Sequence, residues 1–360
     1  MNKAFTVFII YLVTFSQLAC QPRRLSYEVV FGKKVALKDT YQIEDLVELP
    51  DGGYFLTGGV KGKSIGMNPC VVRLNKQGKL LWAKQYNKLE DISVIKSIQR
   101  LNYNRYLLIG YSRLDEILFS LEVDTKGNFG NYKAMTKISS KVHSVKKLGN
   151  GDLIITGGDK LKMLLIKTNR LGKMLWKKTY DSFGRGYAEG RDVLPVSGGY
   201  QIAGGIGDES QVQFGVLKTN QNGDSLWTKT YSSDRSRALV LQKTGNSREF
   251  LAGGVYETWV GAQKNAFLVK YNQQGDTLWT RRFGANKGDE LVDIRVSGGY
   301  YTAIVNTQQE GDNYQRNGMI VLYIFSPDGV LKDKKFLSTK NFKKGWVATK
   351  LIPSSTTGTK

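Results

Sequence analysis

Two cysteines, six prolines and one histidine in 360 residues leave little material for several common kinds of site. Two cysteines exclude a disulfide-stapled scaffold and a cysteine-based metal centre. One of them, Cys70, sits in Asn-Pro-Cys-Val-Val-Arg-Leu at the start of a strand-like run, a setting for a buried apolar thiol rather than a nucleophile. The single histidine, His143, falls in Lys-Val-His-Ser-Val. It has no second histidine for a metal site and no evident partners for a Ser/His/Asp triad, so it reads as a satisfied strand residue. No stretch shows a 3.6-residue apolar period, and beyond the first twenty residues none is apolar enough to cross a membrane.

The beginning of the chain has its own logic. Lys3 supplies a short positive region, Phe5 to Phe15 is apolar, and Leu18-Ala19-Cys20 closes the run. That is the pattern of an export signal over residues 1–19, and Leu-Ala-Cys resembles the bacterial lipoprotein signal, in which the cysteine is lipidated. The resemblance implies Cys20 as the lipidation site, a linker over 20–26 and an anchor in the outer membrane. Gln17 departs from the usual leucine, and ordinary cleavage near Ala19 is the alternative. Gln21-Pro22-Arg23-Arg24 lacks the acidic residues that surface-bound lipoproteins of the Bacteroidetes carry after the cysteine, which favours the periplasmic face.

Acidic residues are also scarce: 53 Lys and Arg stand against 31 Asp and Glu, a net charge of +22. Export turns that excess away from nucleic acid and toward anionic head groups, glycolipid phosphates or an acidic partner protein. Lysines that guard sheet edges against aggregation account for part of it.

What the chain has in abundance is a repeated turn. Asn-x-x-Gly followed by apolar residues and tryptophan recurs at 74–82, 168–176, 219–227 and 271–279, with copies lacking the tryptophan at 123–131 and 325–332. Each period of about 50 residues holds four strand-like runs separated by turn signals such as Pro-Asp-Gly-Gly and Ser-Gly-Gly. Four antiparallel strands per repeat is the arithmetic of a β-propeller blade, so the fold class expected is all-β, a single propeller over 27–352 with a tail at 353–360. Six blades are expected, with seven as the alternative. Tyr27 to Gly32 matches the fourth-strand pattern with no blade before it, which predicts an outer strand that closes the ring; Gly345 to Ile352 reads as one more first strand.

In the fourth strands, tryptophan, lysine and tyrosine alternate and share one face. Trp82, Trp176, Trp227 and Trp279 are therefore expected to dock blade against blade, with a lysine stem between two rings. Gly-Lys-x-Leu-Trp at 78–82 and 172–176 resembles the tryptophan-docking repeat of quinoprotein-like propellers, and the longer pattern resembles repeat propellers of secreted Bacteroidetes proteins. That family divides into enzymes holding pyrroloquinoline quinone and calcium and cofactor-free scaffolds. The chain lacks the adjacent cysteine pair common in the enzymes, so the resemblance implies a scaffold, with no cofactor and no metal.

Two candidate sites follow. Acidic residues recur near the first strands: Glu44, Asp45, Glu90, Asp91, Glu189, Asp234, Asp289 and Glu290. At the channel mouth, paired carboxylates would suit a glycosidase or lyase, whereas repeated acids more often bind loop backbone. The second site is the face opposite the uniform turns, where variable loops gather Lys61, Lys63, Arg185, Tyr187, Arg235, Arg237, Tyr256, Trp259, Lys264, Lys287, Tyr314 and Arg316. Mixed aromatic and basic side chains there form the composition of a recognition surface, the alternative being plain solvated loops. The expectation is a non-catalytic scaffold, monomeric by itself, that binds a protein or an anionic glycolipid or saccharide.

Overall fold

A computed structural model describes residues 11–14, 27–29, 41–61, 67–86, 93–139, 141–182, 186–208, 210–232, 234–257, 264–284, 288–308, 318–337 and 352–353. Among the described residues every regular element is a strand. Six four-stranded antiparallel sheets follow one another along the chain, each built from four consecutive strands in order. They span 41–85, 93–137, 142–180, 187–230, 235–283 and 290–337. Neighbouring sheets pack through their first strands, in sequence from the first sheet to the sixth, while the fourth strands lie outermost. The chain is a six-bladed β-propeller.

The core lies between blades rather than within them. One buried cluster joins blades 1 and 2 through Phe55, Ile95, Tyr106 and Phe119. Others join blades 2 and 3, 3 and 4, 4 and 5, and 5 and 6. A sixth cluster, Ile43, Tyr54, Leu56, Val72 and Leu74, comes from blade 1 alone. Among the described residues no first-strand packing of comparable extent runs from blade 6 to blade 1.

The strand expected to close the ring does not extend a blade. Tyr27–Val29 pairs antiparallel with Tyr11–Thr14, which pairs in parallel with Ile352–Pro353. Each blade completes its own four strands through short hairpins, and closing a short loop costs less entropy than reaching across the ring. Residues 11–14, expected in an export signal outside the fold, are thus a strand in the full chain. Cys20 and residues 345–351 lie outside the described residues.

The repeated turn explains its own composition. Asn75 Oδ1 accepts from the backbone amides of Gln77 and Lys79 at 3.0 and 2.8 Å, and Asn169, Asn220 and Asn272 repeat the pattern. Asp124 plays the same part in blade 2. The glycine that follows, from Gly78 to Gly329, has φ between 75° and 85°, a backbone state that disfavours any Cβ. Just past the turn, in the blades that carry the tryptophan, the fourth strand bulges by one residue. The extra residue, Leu81, Leu175, Leu226 or Leu278, is left exposed, and the tryptophan after it faces the next blade.

There the ring meets the next blade's turn. A Cβ on Gly127 would lie 2.7 Å from the Trp82 ring; one on Gly223 would lie 3.1 Å from Trp176, and one on Gly275 3.1 Å from Trp227. Trp279 takes the same place against Gly329 and donates its indole N–H to Pro327 O at 3.0 Å. The lysine two residues on does more than reach water. Lys84 donates to Lys126 O, Lys178 pairs with Asp224 and Lys229 with Asp276, all on the following blade. Tyr180 and Tyr231 donate their hydroxyls to Gly223 O and Gly275 O.

Candidate functional site

Every first strand carries a bulge at the same place. Its pairing with the second strand slips by one residue at Glu44, Lys96, His143, Arg191, Leu239 and Val292. An extra residue re-aims side chains, and here it sets four polar groups beside the channel. Glu44 and Lys96 pair at 2.7 Å, both largely buried. Glu189 gathers three partners: His143 Nε2 at 2.7 Å, Arg191 at 2.7 Å and the Tyr187 hydroxyl, which donates at 2.8 Å.

Burial acts first on His143, Glu189 and Tyr187. It pushes His143 down, favouring the neutral ring, with the Glu189 hydrogen bond opposing and nearby Arg191 and Lys96 assisting. Burial would raise Glu189, but the hydrogen bond and charge of His143, with Arg191 and Tyr187, hold it down at about 2. Burial and the Glu189 charge push the Tyr187 hydroxyl up.

The residues just after the bulges stitch the blades together. Buried Asp45 accepts from Ser97 Oγ at 3.0 Å and Ile98 N at 3.1 Å, both in blade 2. Buried Asp192 accepts from Ser144 Oγ of blade 3 at 2.6 Å, Leu241 N of blade 5 at 3.0 Å and its own Val193 N at 2.9 Å. One carboxylate therefore ties three blades; Asp192 is not among the repeated acids singled out from the sequence, and its partners lie on strands rather than loops. Glu44 and Glu189 instead face ionic partners; Glu90 and Asp91 lie outside the described residues.

On the loop face the structure brings five predicted residues together over blades 4 and 5. Tyr187 opens the first strand of blade 4, Arg235 and Arg237 lie at the start of that of blade 5, Tyr256 is the last residue but one of its second strand and Lys264 precedes its third. The Arg237 guanidinium lies 5.8 Å from the Tyr187 ring centroid. Arg282, which the loop composition did not single out because it belongs to a regular fourth strand, lies 4.7 Å from the Tyr256 ring and pairs with Asp234 at 2.7 Å. Glu257 sits between Arg235 and Lys264 at 3.8 and 4.0 Å. Among the described residues no carboxylate pairs with Arg237, whose stacking on an aromatic face leaves its N–H groups open to a ligand. Tyr187 links this cluster to the Glu189 network below it. Lys61 ends a strand whose side chain is not described; Lys63, Arg185, Trp259, Lys287, Tyr314 and Arg316 lie outside the described residues.

Elsewhere the chemistry is quiet. Cys70 is fully buried, and burial pushes its thiol up to about 12. Among the described residues no group of three or more His, Cys, Asp or Glu side chains is arranged to hold a metal ion. An open groove of about 440 Å³ lies on the tight-turn face of blade 5, lined by Asn246, Arg248, Glu249, Asn272, Gln273, Gln274 and Leu278.

Comparison with known proteins bears on the fold alone. No family model matches the chain, and no curated protein does. A crystal structure of a protein from Lactobacillus plantarum is 11% identical over 91% of this chain and 94% of that one, with a TM-score of 0.53. Sqt1 from Chaetomium thermophilum is 10% identical over 82% of this chain and 71% of its own, with a TM-score of 0.51. The β-propeller domain of the Trilobed protease from Pyrococcus furiosus, with its open velcro topology, is 7% identical over 83% and 96%, with a TM-score of 0.44.

Proposed function

We propose that this propeller is a non-catalytic binding module of the bacterial cell envelope. It is anchored through lipid on Cys20 at the periplasmic face of the outer membrane, and it uses the loop face of blades 4 and 5 to hold a protein or an anionic glycolipid. The observation that carries the reading is the pair of guanidinium groups, Arg237 and Arg282, stacked on Tyr187 and Tyr256. A stacked arginine is held rigid by the ring, so less side-chain entropy is lost when Arg237 meets a carboxylate or phosphate; Arg282 already holds Asp234. Aromatic and arginine side chains are also those that dominate protein interfaces.

The alternative, in its glycosidase form, needs a carboxyl group that stays protonated near neutral pH. Glu189, the channel carboxylate with the fullest set of partners, is held at about 2 and is tied on three sides. That arrangement suits a fixed anion better than a proton donor.

The test is crosslinking and affinity capture from native envelope membranes with the wild-type chain and the Arg237→Ala/Tyr256→Ala variant. Recovery of a partner by the wild type that the variant loses supports the reading. Turnover of a polysaccharide panel with no partner recovered sinks it. The anchor has its own readout: Cys20→Ala should release the protein from membranes, and unchanged fractionation refutes lipidation.

A further inference from the structure

The six third-to-fourth turns share one backbone and differ in charge. In blades 1 to 3 they read Asn-Lys-Gln-Gly-Lys at 75–79, Asp-Thr-Lys-Gly-Asn at 124–128 and Asn-Arg-Leu-Gly-Lys at 169–173. In blades 4 to 6 they read Asn-Gln-Asn-Gly-Asp at 220–224, Asn-Gln-Gln-Gly-Asp at 272–276 and Ser-Pro-Asp-Gly-Val at 326–330. Turn geometry needs neither charge, because the Asx oxygen and the glycine supply it in either half. The acids of blades 4 and 5 have a use inside the fold: Asp224 takes Lys178 and Asp276 takes Lys229 from the preceding blade.

The cations have no such ion pair, and only Lys126 acts within the fold, its charge favouring the Asp124 carboxylate of its own turn. Lys76, Lys79, Lys126, Arg170 and Lys173 are all exposed, and among the described residues no carboxylate pairs with any of them. The other charges on the same face of these blades are mostly spent. Asp51 is bound to Arg73, Glu122 to Arg105, and Asp124 to the amides of its own turn. Apolar tips stand among the cations: Tyr103, 75% exposed, at the first turn of blade 2, and Leu171, 48% exposed, at the basic turn of blade 3; on the acidic half of the face Leu278 and Val330 are exposed at 47% and 44%.

We propose that the turn face of blades 1 to 3 is a docking surface for an anionic lipid bilayer. Lysine and arginine near such a surface are drawn to it additively, and an aromatic and a leucine among them can enter the head-group layer. A soluble polyanion would use the cations but would leave exposed leucine and tyrosine without a purpose. Membrane contact through this face turns the opposite loop face of blades 4 and 5 away from the lipid. The proposal concerns a different face from the partner site and stands or falls separately from it.

The test is co-sedimentation of the full chain, carrying Cys20→Ser to remove any acyl anchor, with phosphatidylcholine vesicles with and without phosphatidylglycerol. Binding is expected only with phosphatidylglycerol. Lys76→Gln/Lys79→Gln/Arg170→Gln/Lys173→Gln should lower the partition coefficient at least about 30-fold, given the strength of each cation at an anionic surface. A variant with the same charge loss elsewhere, Lys160→Asn/Lys162→Gln/Lys243→Gln/Lys332→Gln, should lower it less than about threefold, the residue of long-range attraction. Tyr103→Ser/Leu171→Ser should weaken the binding that survives high salt. Equal losses in the two charge variants, or no binding to phosphatidylglycerol vesicles, would overturn the proposal. So would a patch variant that loses heparin but keeps the vesicles, since the occupant would then be a soluble polyanion.

Discussion

Replacing Gly223 with alanine separates the two reasons a glycine stands at each repeated turn. Gly223 has φ of 81°, and its added Cβ would lie 3.1 Å from the Trp176 ring and 3.3 Å from Lys178 Cγ. Gly198 has φ of 75° with nothing within 4 Å of an added Cβ. Gly198→Ala therefore reports the backbone penalty alone, about 1–2 kcal/mol for an L-residue in the left-handed region. Gly223→Ala carries that penalty and also pushes the ring off the turn. The Tyr180 hydrogen bond to Gly223 O is disturbed with it, at about 1 kcal/mol, and the packed ring loses part of its contact. The expected cost is about 2–4 kcal/mol, read as a shift of the urea midpoint at constant slope. Trp176→Ala should couple to it, so that the double variant loses less than the sum of the single losses. Equal costs for Gly223→Ala and Gly198→Ala, or strict additivity with Trp176→Ala, would refute tryptophan docking as the fastener between blades.

Two further predictions concern the channel. Asp192→Ala strips the acceptor from the Ser144 hydroxyl and the Leu241 amide of the flanking blades and should cost about 2–4 kcal/mol, with Asp192→Asn losing less because one oxygen remains. A thermal shift equal for the two variants would contradict the stitching role. Acid should destabilise the fold in two stages. His143 is pushed below its ordinary 6.5, so the unfolded chain binds its proton first and the stability present above 6.5 declines as pH falls below it. Glu189 drops from 4.5 to about 2, so a second loss of about 3 kcal/mol is spread between those values. Glu189→Gln should flatten the lower stage in urea midpoints measured against pH, and an unchanged profile would remove Glu189 from the account.

The blade was legible in the sequence because its signals are local. A turn that needs an Asx oxygen and a left-handed glycine names its residues outright, as Asn75 and Gly78 do, and the tryptophan four residues on follows. What was not legible depends on offsets and on distance. The first-strand bulge at His143 or Arg191 leaves no mark in the sequence, since any residue fits it, yet it decides which side chains meet Glu189. Arg282 was hidden for a related reason: it sits in a regular fourth strand, and its contact with Tyr256 reaches across the third strand to the second. The pairing of Tyr27–Val29 with Tyr11–Thr14 escaped because the strand matches the fourth-strand pattern in composition, and composition does not name a partner. The charge reversal between the two halves of the turn face was in the sequence throughout, masked by the constancy of the residues around it.

The most direct test of the functional reading is the amount of partner captured from native envelope membranes by wild type and by Arg237→Ala/Tyr256→Ala. The account predicts a specific partner on the wild type, reduced at least about tenfold by the variant, as expected for removal of an arginine and an aromatic anchor. Equal recovery by the two chains would contradict it.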